Sequence, residues 1–307
     1  MSQTWMIDTD PGVDDAWAIL MMLAAPEIEL LGLSVVAGNV GFAHTLRNAR
    51  RLAAIAGREL KVYAGASEPL IGGAPAAAHV HGEDGFGEAA WDQPLAPVAD
   101  TPAALALIEA SRRPGGLNLL ALGPLTNLAL AIRLDPGFAA RLQRVVVMGG
   151  AVHGRGNTPD LTAEFNIGFD PEAAAIVFRA CPRIELVDWE LTVASAPATA
   201  MVESWLAQDS PRARLMHTIS RRTAEFVRAH RGERWPWADP LAAAVALDPA
   251  CVQQREWRRV EVMLSSGWTR GMTVVDWQDR SGLPAQTEVV TQVDAARVHA
   301  RMNQALG

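Results

Sequence analysis

Short apolar runs rich in β-branched residues alternate with longer stretches of helical apolar spacing along most of this 307-residue chain. No other feature narrows the fold as far. Residues 4–7 form a strand candidate, followed by Pro11-Gly12 and then by Ala16, Trp17, Ile19, Leu20 and Leu23 at helical spacing. Strand signals recur at 28–36, 60–63, 118–122, 144–147 and 184–187, and helical ones at 45–56, 102–110, 125–134 and 171–180. Neighbouring parallel strands need a crossover, usually a helix, so this order predicts an α/β fold: an open, mostly parallel central sheet flanked by helices. Residues 195–247 are expected to form a helical excursion, with strand signals returning at 260–264 and 272–275. No linker or repeat divides the chain, so residues 1–307 are expected to form a single domain. The Gly-rich loops 65–101 and 149–169 are long enough to suggest function.

Charge and cysteine usage exclude several classes. With 27 Lys and Arg against 34 Asp and Glu, the net charge of −7 gives no footprint for nucleic acid or an anionic membrane. Cys181 and Cys251 are too few for a disulfide framework or a Cys-rich zinc site, and a reducing, cytoplasmic setting is expected. The uncharged stretch 114–132 is broken by Gly115, Gly116, Asn118, Pro124 and Asn127, which argues against a membrane span. No basic-then-apolar leader precedes Asp8, so no secretory signal is expected.

The densest chemistry is Asp8-Thr9-Asp10-Pro11-Gly12-Val13-Asp14-Asp15, where the first strand ends and the first helix begins. In open α/β sheets ligands bind beyond the carboxyl ends of the strands. Asp14 and Asp15 could simply complement a helix dipole, but that leaves Asp8 and Asp10 unexplained at a strand end. Crowded carboxylates repel unless protonated or neutralised, and an all-oxygen set without cysteine favours a hard ion, Ca²⁺ or Mg²⁺. Among phosphate-binding patterns, no Walker loop is present, and Gly85-Phe86-Gly87-Glu88-Ala89-Ala90 lies in a loop rather than after a strand. Asp8-Thr9-Asp10 also matches the start of the haloacid-dehalogenase-type phosphatase pattern, which then departs at Gly12.

Asp-x-Asp-Pro-Gly-x-Asp-Asp before an apolar helix resembles the signature of the inosine-uridine type nucleoside hydrolases. Further matches follow in the family's order. They are Gly38-Asn39, Tyr63-Ala64-Gly65-Ala66, the loop from His81 to Gly87, Leu122-Gly123-Pro124-Leu125-Thr126-Asn127, Met148-Gly149-Gly150, Gly156-Asn157, Ala163-Glu164-Phe165-Asn166, Asp170-Pro171-Glu172 and Asp239-Pro240-Leu241-Ala242. The resemblance implies hydrolysis of ribonucleosides to ribose and free base. It implies one Ca²⁺ held by Asp10, Asp15, the backbone carbonyl of Thr126 and Asp239, with Asp10 as general base toward the attacking water. Asp14, Asn39, Asn157, Glu164 and Asn166 would hold the ribose, and Asp8 would support the cluster. A homodimer or homotetramer is expected by the same analogy. Taken singly, Asp239 before Pro240 reads as a helix cap, and Asn157 and Asn166 as turn residues. Only their shared order points elsewhere.

Hydrolysis of an N-glycosidic bond passes through an oxocarbenium-like sugar, which a carboxylate-lined pocket favours. The departing base must also accept electrons. Many members of the family carry His immediately before the Asp corresponding to Asp239, whereas this chain has Ala238 between Trp237 and Asp239. Another branch, selective for purine nucleosides, lacks that His and stacks the base between tryptophans. Trp235 or Trp237 could act similarly, with Phe86 or Trp91 from the first long loop, and purine nucleosides are slightly favoured on that basis. His81 is a further candidate base contact. His79 and His81 would share a face if extended, but in a Gly-rich loop the pair is a weak metal signal. His153, His217 and His230 have no position fixed by sequence. The competing readings are a Mg²⁺-dependent phosphatase with Asp8 as nucleophile, and a nucleoside or ribose binder without turnover.

Overall fold

In the computed structural model, which describes residues 3–72 and 78–307, strand β1 (Gln3–Thr9) is buried over residues 5–9, as a strand covered on both faces must be. It lies within a nine-stranded sheet. The other members are β2 (Ile28–Val35), β3 (Lys61–Ala64), β4 (Val98–Ala99), β5 (Leu117–Ala121), β6 (Leu142–Met148), β7 (Ile184–Val187), β8 (Val252–Arg258) and, after the separate ribbon of β9 (Val260–Val262) and β10 (Thr273–Val275), β11 (Thr287–Val293). The order is β4-β3-β2-β1-β5-β6-β7-β11-β8, with β8 alone antiparallel to its neighbour. The expectation of an open, mostly parallel sheet flanked by helices holds.

Alternation along each strand divides the core into two layers. Trp5 and Ile7 of β1, with Val146 and Met148 of β6, face helices Val13–Ala24, Ala238–Leu247 and Ala295–Gln304. Met6, Val145 and Val147 face the other way, toward helices Ala103–Ser111, Thr126–Leu134 and Pro171–Ala180. The helical excursion is present as Thr199–Leu206, Pro211–Ile219 and Arg221–His230, and Ala238–Leu247 returns to pack on Val13–Ala24.

Three elements escape the apolar pattern. Strand β8 is an edge strand in which Gln253, Gln254 and Arg255 are exposed in succession, so it carries no alternation. Strand β11 and the helix Ala295–Gln304 are too rich in polar residues to stand out. The segment around His79 and His81 is a helical turn, Ala78–His81, which removes the strand geometry on which a shared face would depend. Among the described residues no helix is long and apolar enough to cross a membrane.

Strand order reverses direction on either side of the β1–β5 pair, with β2, β3 and β4 running one way and β6 and β7 the other. Brändén's rule places a ligand crevice there, beyond the carboxyl ends of the strands. Asp8 and Asp10 lie at that end of β1.

Candidate active site

Asp8, Asp10 and Asp15 are fully buried, and Asp239 is 3% exposed. Asp8, Asp10 and Asp15 are each held by specific donors. Asp15 Oδ1 accepts from Thr9 Oγ1 at 2.5 Å, and Oδ2 accepts from the Gly12 and Asn39 side of the turn, at 3.0 Å from the Gly12 N–H and 3.1 Å from Asn39 Nδ2. Asp10 Oδ2 accepts the Asn39 N–H at 2.7 Å, while Oδ1 is buried without a hydrogen-bond partner. Glycines at 38 and 123 leave the space that Asp10 occupies, since a Cβ at either would strike its carboxylate.

Asp8 faces away from the crevice. Its Oδ1 accepts from Ser34 Oγ at 2.5 Å and Asn127 Nδ2 at 2.9 Å. The amide of Asn127 also donates to the Val35 carbonyl and accepts the Ala66 N–H, joining the ends of β2, β3 and β5. Asp170 performs a similar task, receiving Thr126 Oγ1 at 2.7 Å and the Leu70 N–H at 2.9 Å while capping the following helix through Ala173. Asp8 is thus held through Oδ1, while Oδ2 is buried without a hydrogen-bond partner, and the residue is fully buried and lines no part of the crevice, which counts against its use as the nucleophile of the phosphatase reading.

Burial is the main electrostatic fact of the site. It raises Asp8 to about 7, against the lowering influence of Ser34 and Asn127. It pushes Asp10 and Asp239 well above the carboxylate range, and the mutual charges of Asp10, Asp14 and Asp15 add to the effect at Asp239. Asp14 and Asp15 move up for the same first reason. Glu164 is raised to about 7 by burial, although its Oε2 accepts the N–H groups of Gly150, Asn166 and Ile167 at 2.9–3.3 Å.

Such crowding fits a bound cation. Asp14, Asp15 and Asp239 each offer an oxygen, and all three oxygens lie within 4.8 Å of one another. Asp14 Oδ1, like Asp10 Oδ1, is buried with no hydrogen-bond partner. An all-oxygen, multiply charged donor set suits a hard divalent ion such as Ca²⁺ better than zinc or copper.

Above this floor opens a pocket. Asp14, Asn39, His81, Asn157, Glu164, Asn166, Trp235, Trp237 and Asp239, drawn from across more than two hundred residues of sequence, all line it. Asn166 is fixed by donating to the Leu122 and Met148 carbonyls at 2.6 and 3.2 Å, and Asn157 accepts the Phe165 N–H at 2.8 Å. His81 Nδ1 accepts the Val13 N–H at 3.2 Å, which puts the proton of a neutral ring on Nε2. Asp10, Asp15 and Thr126 lie beneath the lining, and Asp8 behind it.

The aromatic arrangement differs from expectation. Phe86 is fully buried in the core and Trp91 lies 5.6 Å from the guanidinium of Arg51; neither lines the pocket. Trp235 and Trp237 stack on one another at 5.1 Å, and Trp17 meets Trp237 edge-on at 4.5 Å. The two therefore form a wall, with no slot between them for a base. Sequence reading missed Trp189, Phe165, Phe226 and Arg231, which also line the pocket. His153 stacks on Trp277, His230 stacks on Phe226, and His217 is exposed; none of the three lines the pocket.

Known proteins agree with this geometry. The sequence model of the inosine-uridine preferring nucleoside hydrolases matches residues 5–300. The inosine-uridine preferring nucleoside hydrolase of Crithidia fasciculata is 35% identical over 302 residues, covering 96% of this chain and 94% of that protein. The pyrimidine-specific ribonucleoside hydrolase RihA of Salmonella newport (strain SL254) is 35% identical over 298 residues, covering 94% and 93%. Among solved structures, an inosine-guanosine nucleoside hydrolase superposes with a TM-score of 0.91 at 28% identity, covering 100% and 99%. The purine-preferring ribonucleoside hydrolase from Gardnerella vaginalis gives 0.88 at 28%, covering 99% and 98%. An acidic floor at the switch point, a polar and aromatic pocket above it, and full-length likeness in sequence and fold lead to one conclusion: this chain belongs to the inosine-uridine preferring nucleoside hydrolase family and is a ribonucleoside hydrolase.

Proposed function

We propose that the chain cleaves ribonucleosides to ribose and free base with Asp10 as general base, purine nucleosides being slightly favoured. One observation carries the reading: Asp10 Oδ1 is buried and unpartnered, in a residue whose charge interacts with those of Asp14, Asp15 and Asp239. Asp10, Asp15, Asp239 and the Thr126 carbonyl would hold Ca²⁺, with Asp14 close by. When bound, such an ion supplies Lewis acidity toward an oxygen nucleophile and neutralises part of the carboxylate charge.

The Asn39 N–H fixes Asp10 Oδ2 at 2.7 Å, so Oδ1 is the atom left to take a proton from water. Asp14, Asn39, Asn157, Glu164 and Asn166 would bind the ribose hydroxyls, and a sugar lacking one would leave polar groups unpaired, most costly at the buried Asn39, Glu164 and Asn166. The carboxylates favour the cationic sugar over the neutral one. Trp235 and Trp237 would flank the base as a wall, with His81 near it.

The same reading takes residues 1–307 as one functional unit, acting in the cytoplasm as a homodimer or homotetramer. The continuous sheet supports the first point, and two buried free cysteines support the second. Reducing-sugar release from inosine, uridine and p-nitrophenyl riboside tests the reaction. Many turnovers per enzyme, abolished in Asp10→Ala, are expected. Release limited to one equivalent would instead favour a nucleoside binder that has lost turnover.

A further inference from the structure

The pocket is acidic below and aromatic at the sides, and it contains one permanent cation. Arg231 follows the helix Arg221–His230 and lines the pocket at its solvent-exposed rim. Its guanidinium sits 5.1 Å from the ring centre of Trp189, which also lines the pocket. Among the described residues Arg231 takes part in no ion pair, although the chain pairs many of its other arginines, as at Arg144–Glu185 and Arg270–Glu172. Partial loss of hydration is the one influence that perturbs it, with no carboxylate charge acting in opposition. Apart from His81, which its Val13 contact anchors toward the acidic turn, Arg231 is the only basic residue in the described lining.

A guanidinium offers donors alone, in a rigid fork. It is therefore matched to two adjacent acceptors. The major-groove edge of a 6-oxopurine presents N7 and O6 as such a pair, and bidentate arginine is its commonest specific partner. In a 6-aminopurine the second position is an NH₂ donor, which would face another donor. Uracil presents no two neighbouring acceptors, and the acceptor pair of cytosine, N3 and O2, lies beside the glycosidic bond rather than on the far edge of a fused ring.

Resting on the hydrolase reading above, we propose that Arg231 binds the N7/O6 edge of the base, selects 6-oxopurine ribonucleosides and supports the leaving group where Ala238 supplies no acid. As water oxygen bonds to C1′, the C1′–N9 bond breaks and its electron pair passes into the purine. Asp10 takes the water proton. The charge developing on N7 and O6 meets the guanidinium, and the purine anion collects its proton from solvent.

Steady-state kinetics on inosine, guanosine, adenosine, 7-deazainosine and p-nitrophenyl riboside test this in the wild type, Arg231→Gln and Arg231→Lys. The wild type is expected to favour inosine and guanosine over adenosine by about tenfold or more in kcat/KM, and to disfavour 7-deazainosine. Arg231→Gln should lower inosine and guanosine hydrolysis about 10- to 100-fold, while p-nitrophenyl riboside, which lacks the purine edge, changes less than about twofold. Arg231→Lys keeps the charge without the fork and should recover only part of the loss, and it guards against a folding defect in Arg231→Gln. Equal loss on p-nitrophenyl riboside, unchanged inosine hydrolysis in Arg231→Gln, or a wild type that prefers adenosine would overturn the proposal alone. Release of ribose from none of these compounds would overturn the hydrolase reading and the proposal together.

Discussion

Asp10 shows how much depends on single atoms in this site. One of its oxygens is committed to Asn39 and the other is left without a partner in a place where burial and like charges oppose ionisation. Asp10→Asn should reduce kcat by about 10²–10⁴-fold, the range for loss of a general base. The metal-free variant should melt no lower than the wild type, because a crowded buried acid is replaced by a neutral amide. A lower melting temperature measured in EDTA at pH 8 would show that Asp10 is needed structurally. Asn127 represents the opposite case. It touches no substrate in the proposed mechanism, yet its amide joins Asp8, the Val35 carbonyl and the Ala66 N–H. Asn127→Ala strands buried polar groups, each costing about 1–3 kcal/mol, so a total loss of about 2–4 kcal/mol is expected from urea unfolding. The motif containing Asn127 was visible in sequence, but its role was not, because the amide's partners lie 61 to 119 residues away.

At the scale of elements, the acidic turn works because β1 ends in the middle of the sheet. Its register with β2 and β5 sets Asp8 opposite Ser34 and Ala121. The helix that brings Asp239 is fastened to the same frame. Arg144 of β6 pairs with Glu185 of β7 through two contacts at 2.8 and 2.9 Å, and donates to the Ala246 carbonyl at that helix's C-terminal end. Arg144→Ala would leave Glu185, nearly buried, without its charge partner and the helix end without its donor. A destabilisation of about 3–5 kcal/mol is expected, the scale for breaking a buried pair. Denaturant midpoints would check it, and a change under about 1 kcal/mol would mean that water replaces the guanidinium. The strands with apolar runs and the helices of regular spacing could be located to within a few residues from sequence, since burial on a fixed period leaves a visible pattern. Edge strand β8 could not, because it faces solvent and its pairing partner β11 lies about thirty residues further on.

For the whole molecule, the summed burial of acids couples stability to pH and to metal. Folding raises Glu164 to about 7 and Asp188 to about 6, both chiefly through burial, whereas an unfolded chain releases these protons near pH 4. Between roughly pH 4 and 7 the folded state holds more protons than the unfolded one. Stability from these groups is therefore complete below about pH 4 and is lost as pH rises through 6 and 7. Thermal melts in EDTA should show a falling midpoint from pH 5 to pH 8, and a flat or rising profile would contradict the assigned environments. Ca²⁺ should raise the midpoint at pH 8, with a gain of about 2.7 kcal/mol at a hundredfold excess over Kd. Magnesium, which keeps its waters and demands octahedral geometry, should do less.

Sequence by itself determined the alternation of strands and helices, the acidic strand end and the order of motifs, because each is written in local spacing that burial and backbone geometry impose. Asp10, Asp14, Asp15 and Asp239 could be nominated from it. Only the tertiary structure decided that Asp8 points into the sheet while Asp14 points into the pocket, that Trp235 and Trp237 stack on each other instead of enclosing a base, and that Arg231 stands over Trp189 at the rim. The physical reason is the same in each case. Which atom a side chain meets depends on elements brought together from distant parts of the chain, and no local pattern encodes that meeting.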